Sequence, residues 1–168
     1  MEQRVLGRTG LRVSVLGYGA GAVGGLMVRG SPAEQERSLG TALDAGVTYV
    51  DTAPAYGNGA SETNLGRALK ALGANPTLGT KVRLPAEARG DIAGAIAASL
   101  EASLARLGRD SVDLFQLHDP IGSPGGLTLA QVLEEAVPAM RRLREAGKCR
   151  FLGITALGEV AALRALLE

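Results

Sequence analysis

Four side chains whose chemistry could be combined lie at or just beyond the ends of short apolar runs: Asp51, Tyr56, Lys81 and His118. A carboxylate beside an amine keeps the amine charged, and a cation beside a phenol favours the phenolate. Such a phenol becomes a usable proton donor near neutral pH, and an imidazole can orient an oxygen or relay a proton. Together these side chains could protonate an oxygen atom that gains negative charge during a reaction.

Five strand-like runs alternate with helix-like segments, which is the pattern of parallel neighbouring strands. The runs are residues 15–19, a run ending near Asp51, a run ending at Lys81, residues 112–117 before His118, and residues 149–154. The carboxyl ends of parallel strands share one edge, and barrel active sites lie on that edge. We therefore expect the acid, the phenol, the amine and the imidazole to converge in one pocket.

Local signals predict the other elements. Residues 4–13 form two short alternating runs around a glycine-containing turn, which indicates a β-hairpin. Helices are predicted to begin at Ser31, Ser61, Asp91 and Thr128, with Pro138 as a kink in the last of them, and another helix begins near residue 159.

This order of elements predicts an α/β fold: an incomplete TIM-type (β/α) barrel with an N-terminal β-hairpin and about five βα units with parallel strands, in a single domain of residues 1–168. A closed eight-stranded barrel typically needs about 250 residues. We therefore expect either a fragment of a longer protein or a chain that covers its open edges by self-association. A doubly wound sheet is the less favoured alternative, because the polar groups gather at successive strand ends.

The amino-acid composition limits the classes of function that we expect. The formal net charge is +1, from 18 basic and 17 acidic residues, so no bulk attraction to nucleic acid or to an anionic membrane is predicted. One cysteine, Cys149, and one histidine are too few for an internal disulfide or a metal site. The N-terminus, which begins with residues 1–4, lacks the apolar region of a signal peptide, and no apolar run reaches about 18 residues, so we expect a cytoplasmic protein.

Each of the four side chains also has a simpler interpretation. Asp51 could cap a turn, Tyr56 could lie at a rim, Lys81 could be a solvated charge and His118 could hydrogen-bond a loop. Their occurrence together at successive strand ends favours a site. Residues 19–24 match the pattern G-x-G-x-x-G, but the glycines that follow favour a loop over the site rather than a dinucleotide-binding turn.

Several motifs, in this order, resemble the aldo-keto reductase family, and the resemblance spans almost the whole chain. They are residues 7–14, which look like the family's opening hairpin, residues 51–57 with Ser61 and Glu62, Thr80 with Lys81, residues 103–107, Asp113 with Leu114, Leu117 with His118, and residues 147–154.

The resemblance implies NAD(P)H-dependent interconversion of an aldehyde or ketone and an alcohol by hydride transfer, with a small carbonyl or sugar as substrate. It implies that Tyr56 is the general acid and that Asp51, Lys81 and His118 complete the catalytic set. NADP is the implied cofactor, with NAD as a possibility, and Gly21, Asp51 and Thr155 are the implied cofactor contacts. Neither nucleic acid nor a membrane is an expected partner.

Two departures from the family pattern leave a second hypothesis open. The family usually has Ser-Asn after the fifth strand, where this chain has Thr155 and Ala156. The family also continues for three further βα units that carry most cofactor contacts. The alternative is a catalytically inactive fragment or a non-catalytic subunit that retains the four side chains by descent.

Overall fold

The computed structural model describes residues 1–21 and 23–168, and the strands in them form two sheets. An antiparallel hairpin pairs β1 (Gln3–Val5) with β2 (Arg12–Ser14). A parallel sheet contains β3 (Tyr18–Gly19), β4 (Tyr49–Asp51), β5 (Thr77–Val82), β6 (Val112–Leu117) and β7 (Cys149–Ile154). The five parallel strands follow one another in sequence order across the sheet. This order is the one a (β/α) barrel requires, and the doubly wound alternative, whose strand order reverses, is wrong.

Helices connect the parallel strands. They are α1 (Leu26–Arg29), α2 (Pro32–Asp44), α3 (Ala60–Leu72), α4 (Ile92–Leu107), α5 (Leu129–Gln131), α6 (Val137–Glu145) and α7 (Val160–Leu167), with a 3-10 turn at Ala86–Gly90. Ser31 and Thr128 form capping boxes and Asp91 accepts from the Gly94 N–H, so these predicted helix starts are confirmed. The predicted start at Ser61 lies one residue inside α3.

The segment around Pro138 differs in detail from a simple kink. A π-helical segment, Val132–Ala136, joins α5 to α6, and Pro138 lies in the first turn of α6. Proline lacks an N–H and clashes with the carbonyl four residues earlier in a regular α-helix. A wider π turn just before the proline accommodates both effects.

The hydrophobic core lies between the outer face of the parallel sheet and the helices. Alternate strand residues point outward, and they pack with apolar side chains of α3 and α4; the cluster includes Val50, Leu78, Val82, Phe115, Leu65, Leu69, Ile96, Leu100 and Leu104. The core is almost free of aromatic rings, as the 3% aromatic content requires.

A carboxylate near the amino ends of the strands ties three of them together. The Oδ2 atom of Asp113 on β6 accepts from the Leu78 N–H at 2.9 Å, and its Oδ1 atom accepts from Arg150 of β7 at 2.6 Å. Asp113 therefore bridges β5, β6 and β7 at the end of the sheet opposite the strand ends that carry Asp51 and Lys81.

The first parallel strand is shorter than predicted. Val15 and Leu16 are 48% and 64% exposed, and the strand contains only Tyr18 and Gly19. The short helix α1 was not predicted. Residues 20, 21 and 23–25 are not helical, which agrees with a loop rather than a dinucleotide-binding turn, and Ala22 lies outside the described residues. Within the described ranges, no helix is long and apolar enough to cross a membrane.

Two helical glycines provide a test of how α3 packs on α4. A Cβ atom at Gly66 would lie 2.5 Å from the Leu107 carbonyl oxygen, whereas one at Gly40 would meet only the end of Leu72, at 3.5 Å. We expect Gly66→Ala to lower the free energy of unfolding by about 1–3 kcal/mol because backbone atoms must move. Gly40→Ala should raise it by about 0.5–1 kcal/mol. Urea unfolding followed by circular dichroism measures both, and equal stabilisation by the two variants would contradict the close approach.

Candidate active site

The side chain of Lys81 is the centre of a cluster at the carboxyl end of β5. Lys81 is only 5% exposed. Its Nζ atom donates to Asp51 Oδ2 at 2.5 Å, to the Thr52 carbonyl oxygen at 2.9 Å and to Tyr56 Oη at 3.2 Å. An ammonium group has three N–H donors, so these acceptors satisfy all of them. The interpretation of Lys81 as a solvated charge is therefore wrong.

Strand register brings the acid and the amine together. Asp51 pairs with Gly79 across β4 and β5, and Lys81 lies two residues further along the same face of β5. Tyr56 comes from the loop after β4, where Gly57, Asn58 and Gly59 have φ values of 64°, 52° and 86°. Glycine and asparagine tolerate this left-handed conformation, so the loop can turn tightly between the phenol and the start of α3.

The direction of the hydrogen bonds determines what the phenol can do. Because the Lys81 ammonium donates to the Tyr56 oxygen, the phenol keeps its own O–H for another acceptor. The ammonium also lies 4.9 Å from the centre of the Tyr56 ring. A positive charge at this place stabilises the phenolate that remains after proton donation.

His118 follows β6 and belongs to a second polar pair. Its N–H donates to the Val82 carbonyl at 2.7 Å, and its Nδ1 atom lies 2.9 Å from Thr155 Oγ1 just beyond β7. Partial burial lowers the pKa of His118, and the positive charges of Lys81 and Arg83 lower it further. The imidazole is therefore neutral at physiological pH.

The remaining predicted positions lie at the edges of these pairs. A Cβ atom at Gly21 would lie 3.9 Å from Tyr56 Cε2, so the bare backbone of Gly21 lies beside the phenol ring. Thr155 holds His118, and the next residue, Ala156, has a φ of 51°. That left-handed conformation is disfavoured for alanine and tolerated by asparagine, the residue usual in the resembled family.

Two further side chains of this region were missed by the sequence analysis. Tyr49 donates to Asp51 Oδ1 at 3.3 Å, and it fills the space above Gly17 and Gly79. Burial, followed by the charge of Asp51, raises the pKa of Tyr49, so this phenol stays protonated. The Tyr-x-Asp spacing on one strand was a usable signal, since residues two apart share a face.

Asp119, next to His118, is the second missed residue. It is 2% exposed, and both its carboxylate oxygens accept from the Leu84 N–H, at 3.0 and 3.2 Å. Burial raises the pKa of Asp119. The carboxylate joins the residue after β6 to the segment after β5, which holds the His118 side of the site against the Lys81 side.

The structure therefore places Asp51, Tyr56 and Lys81 in direct contact, Gly21 beside Tyr56, and His118 with Thr155 on the neighbouring strand ends. No group of three or more metal-capable side chains occurs in residues 1–21 and 23–168. The arrangement can deliver a proton from Tyr56 and retain the resulting negative charge beside a cation.

The pKa of His118, the chain's single histidine, can be measured without interference from another imidazole. In the folded state the pKa of His118 lies below the ordinary 6.5, so between the two values the unfolded chain binds more protons. The free energy of unfolding should therefore fall as the pH falls through this window, and His118→Gln should remove that part of the dependence. Proton NMR titration and urea unfolding at several pH values measure the two effects. An NMR midpoint at or above 6.5 would contradict the assignment.

The backbone at position 156 gives a stability test. A left-handed residue with a Cβ costs roughly 1–2 kcal/mol, so Ala156→Gly and Ala156→Asn should both raise the free energy of unfolding by about 1 kcal/mol. Ala161→Gly, in the exposed face of α7, is the matched control and should lower it by about 0.5–1 kcal/mol. Thermal and urea unfolding measure the stability of the three variants. An equal loss of stability in all three would contradict strain at Ala156.

The chain is similar to known proteins over most of its length. The model of the Aldo/keto reductase family matches residues 15–167. The chain is 37% identical to L-galactose dehydrogenase of Arabidopsis thaliana, covering 94% of this chain and 49% of that protein. It is 34% identical to D-threo-aldose 1-dehydrogenase of a Pseudomonas species, covering 95% of this chain and 55% of that protein.

Solved structures give the same result. An aldo-keto reductase of Bacillus halodurans in its holo form superposes with a TM-score of 0.73 at 31% identity, covering 92% of this chain and 50% of that one. An aldo-keto reductase of Klebsiella pneumoniae in complex with NADP and acetate gives 0.73 at 29% identity, covering 94% and 50%. The chain spans about half the length of the relatives it matches, and the five parallel βα units are part of a TIM-type barrel. The family match, the identities and the shared fold together establish that this chain belongs to the aldo/keto reductase family.

Proposed function

We propose that the protein acts in the NAD(P)H-dependent interconversion of an aldehyde or ketone and an alcohol, with Tyr56 as the general acid. The observation that carries this proposal is the set of three hydrogen bonds from Lys81 to Asp51, Thr52 and Tyr56. A lysine with a purely structural role would not need a neighbouring phenol with a free O–H. A site that protonates a carbonyl oxygen needs such a free O–H.

Each residue has a defined role in the proposed reaction. The nicotinamide, when bound, supplies the hydride. As the carbonyl oxygen gains negative charge, Tyr56 donates its proton to that oxygen, and the Lys81 ammonium stabilises the phenolate. Asp51 pairs with Lys81 and aims its ammonium, since a nearly buried charge without a counter-ion is costly. Neutral His118, fixed by Thr155, hydrogen-bonds the substrate oxygen through Nε2.

The chain offers residues that fit a nicotinamide, and we propose NADP as the cofactor, with NAD as the alternative. Gly21 presents bare backbone beside Tyr56, and Thr155 presents a hydroxyl beside His118, just beyond β7. Asp51, at the end of β4, completes the proposed contacts. The NADP complex of the relative from Klebsiella pneumoniae supports this choice.

A small carbonyl compound or sugar is the proposed substrate. Two relatives named for sugar oxidation, L-galactose dehydrogenase and D-threo-aldose 1-dehydrogenase, support it. Self-association over open sheet edges, the absence of nucleic-acid and membrane partners, and a cytoplasmic location stay predictions. Cys149 is buried, and burial raises the pKa of its thiol to about 11, which keeps the thiol unreactive.

The alternative of a non-catalytic chain is supported by one observation. Ala156 stands where the resembled family has an amide side chain for the cofactor. Separately, the 168 residues span about half the length of the relatives they match. Binding energy along the whole dinucleotide normally holds the reacting atoms roughly 3–3.5 Å apart. We therefore expect the 168-residue chain alone to bind NADPH weakly and to reduce aldehydes at a rate near background.

A fusion tests the proposed roles. The chain would be joined to the remaining half of the Bacillus subtilis aldo-keto reductase, 47% of which it matches at 36% identity. NADPH-dependent reduction of a reactive aldehyde should appear in the fusion, and Tyr56→Phe should lower kcat by about 10²–10⁴-fold because general acid catalysis is lost. The affinity for NADPH, measured by fluorescence, should hardly change, since the hydroxyl acts on the substrate.

One result would contradict the proposal, and another would contradict the low activity expected of the chain alone. Turnover of the Tyr56→Phe fusion at the parent rate would remove Tyr56 as the acid. Turnover of about 1 s⁻¹ by the 168-residue chain alone, which is within the usual enzyme range, would show that the chain needs no further βα units.

A further inference from the structure

Directly behind Lys81, the first turn of α3 buries two consecutive polar residues, Ser61 and Glu62. Both are 0% exposed, and so are the residues they contact on the strand ends, Thr52 and Thr80. Buried polar groups are costly unless every one is hydrogen-bonded. The four side chains form two connected arms that end at residues adjoining Lys81.

The first arm passes through Ser61. Its hydroxyl donates to the Ala20 carbonyl at 2.7 Å, and it lies 2.9 Å from the Thr52 hydroxyl. Since the Ser61 proton is used on Ala20, Thr52 is the donor in the second bond. The Thr52 N–H donates to the Gly79 carbonyl at 3.0 Å, and its own carbonyl accepts from Lys81 Nζ. Ser61 thus holds the peptide unit that holds the ammonium.

The second arm passes through Glu62. Its Oε1 atom accepts from the Thr80 hydroxyl at 2.6 Å, and its Oε2 atom accepts from Arg106 Nε at 2.7 Å. Thr80 precedes Lys81 on β5 and points to the opposite face, so Glu62 anchors β5 from behind at the level of the ammonium. Arg106 passes so close to Gly59 that a Cβ atom there would lie 2.8 Å from Arg106 Cδ.

The attachment points show what the two arms control. Well-packed apolar residues would hold a helix on a sheet at least as stably as a buried ion pair does. Polar atoms, unlike apolar ones, fix the positions of particular donors and acceptors. Here the fixed groups are the Thr52 carbonyl and the β5 backbone beside Lys81. An error of about 1 Å in such a group can cost on the order of 100-fold in rate.

We infer that Ser61 and Glu62 are positioning residues, which through Thr52 and Thr80 keep the Lys81 ammonium within hydrogen-bonding distance of the Tyr56 phenol. The catalytic meaning of this inference rests on the proposed function, but the positioning itself does not. The Ser61 N–H donates to the Tyr56 backbone carbonyl at 3.2 Å, and Ser61→Ala keeps this bond. The Ser61 hydroxyl and the Glu62 carboxylate bond to Ala20, Thr52, Thr80 and Arg106 and not to the Tyr56 phenol, so these side chains act through the groups that hold Lys81.

Nitrogen NMR of lysine side chains in the 168-residue chain tests the positioning without turnover. The sequence has three lysines, and Lys70 and Lys148 are more exposed than Lys81. An ammonium held by three protein acceptors exchanges its protons slowly with water and gives a visible signal. Lys81→Arg identifies that signal by removing it. Thr63→Ala, which removes only a hydroxyl bonded to the Gly59 carbonyl on the same turn of α3, is the matched control.

We expect Ser61→Ala and Thr80→Val to speed proton exchange of the Lys81 ammonium by about 10-fold or more, which is the worth of one hydrogen bond. Thr80→Ser, which restores the hydroxyl, should return the slow exchange, and Thr63→Ala should leave it unchanged. Should Thr80→Val fail to fold, Thr80→Ala takes its place as the test of the Glu62 arm, and Ser61→Ala tests the Ser61 arm. Exchange in folded Ser61→Ala equal to that in Thr63→Ala would overturn the inference.

The outcomes separate this inference from the proposed function. If Ser61→Ala speeds exchange at Lys81 while Tyr56→Phe retains full turnover in the fusion, the positioning stands and the catalytic assignment fails. If exchange is unchanged while Tyr56→Phe abolishes turnover, the catalytic assignment stands and the positioning fails.

Discussion

The nearly buried ammonium of Lys81 is the constraint on which the site depends. A charge with 5% exposure is tolerated only when its donors are paired, and its acceptors come from separate pieces of backbone: the end of β4, the peptide after it and the loop that carries Tyr56. The lengths of β4 and β5, their register and the left-handed turn at residues 57–59 must therefore agree with one another. Tyr49 also hydrogen-bonds Asp51, and α3 hydrogen-bonds Thr80 on the opposite face of β5.

Much of the fold could be predicted from the sequence because its signals are local. Capping boxes at Ser31 and Thr128 and left-handed glycines at Gly73 and Gly108 mark helix ends through interactions of neighbouring residues. The true length of β3 could not be predicted, because apolar Val15 and Leu16 match a buried strand but are exposed in the fold. Pro138 predicted a kink in the helix, but the π segment that precedes it in the structure depends on the packing around it.

The site, like the fold, could be predicted from the sequence only in part. The types and strand-end positions of Asp51, Lys81 and His118 follow from the pattern, and the alternation of strand residues predicts that they share a face. The Thr52 carbonyl could not be predicted as a ligand of Lys81, since every residue has a carbonyl and only the fold selects one. The left-handed backbone of Ala156 could not be predicted either, because alanine rarely adopts that conformation.

The bridge that Asp113 makes to Leu78 and Arg150 has an evolutionary consequence. This carboxylate secures β5, β6 and β7 at their amino ends, while the groups around Lys81 occupy the carboxyl ends of the sheet. Sheet cohesion and chemistry therefore rely on different atoms, separated by the length of the strands. Loops at the carboxyl ends can diverge toward new substrates while the opposite rim preserves the scaffold, which lets one architecture serve many specificities.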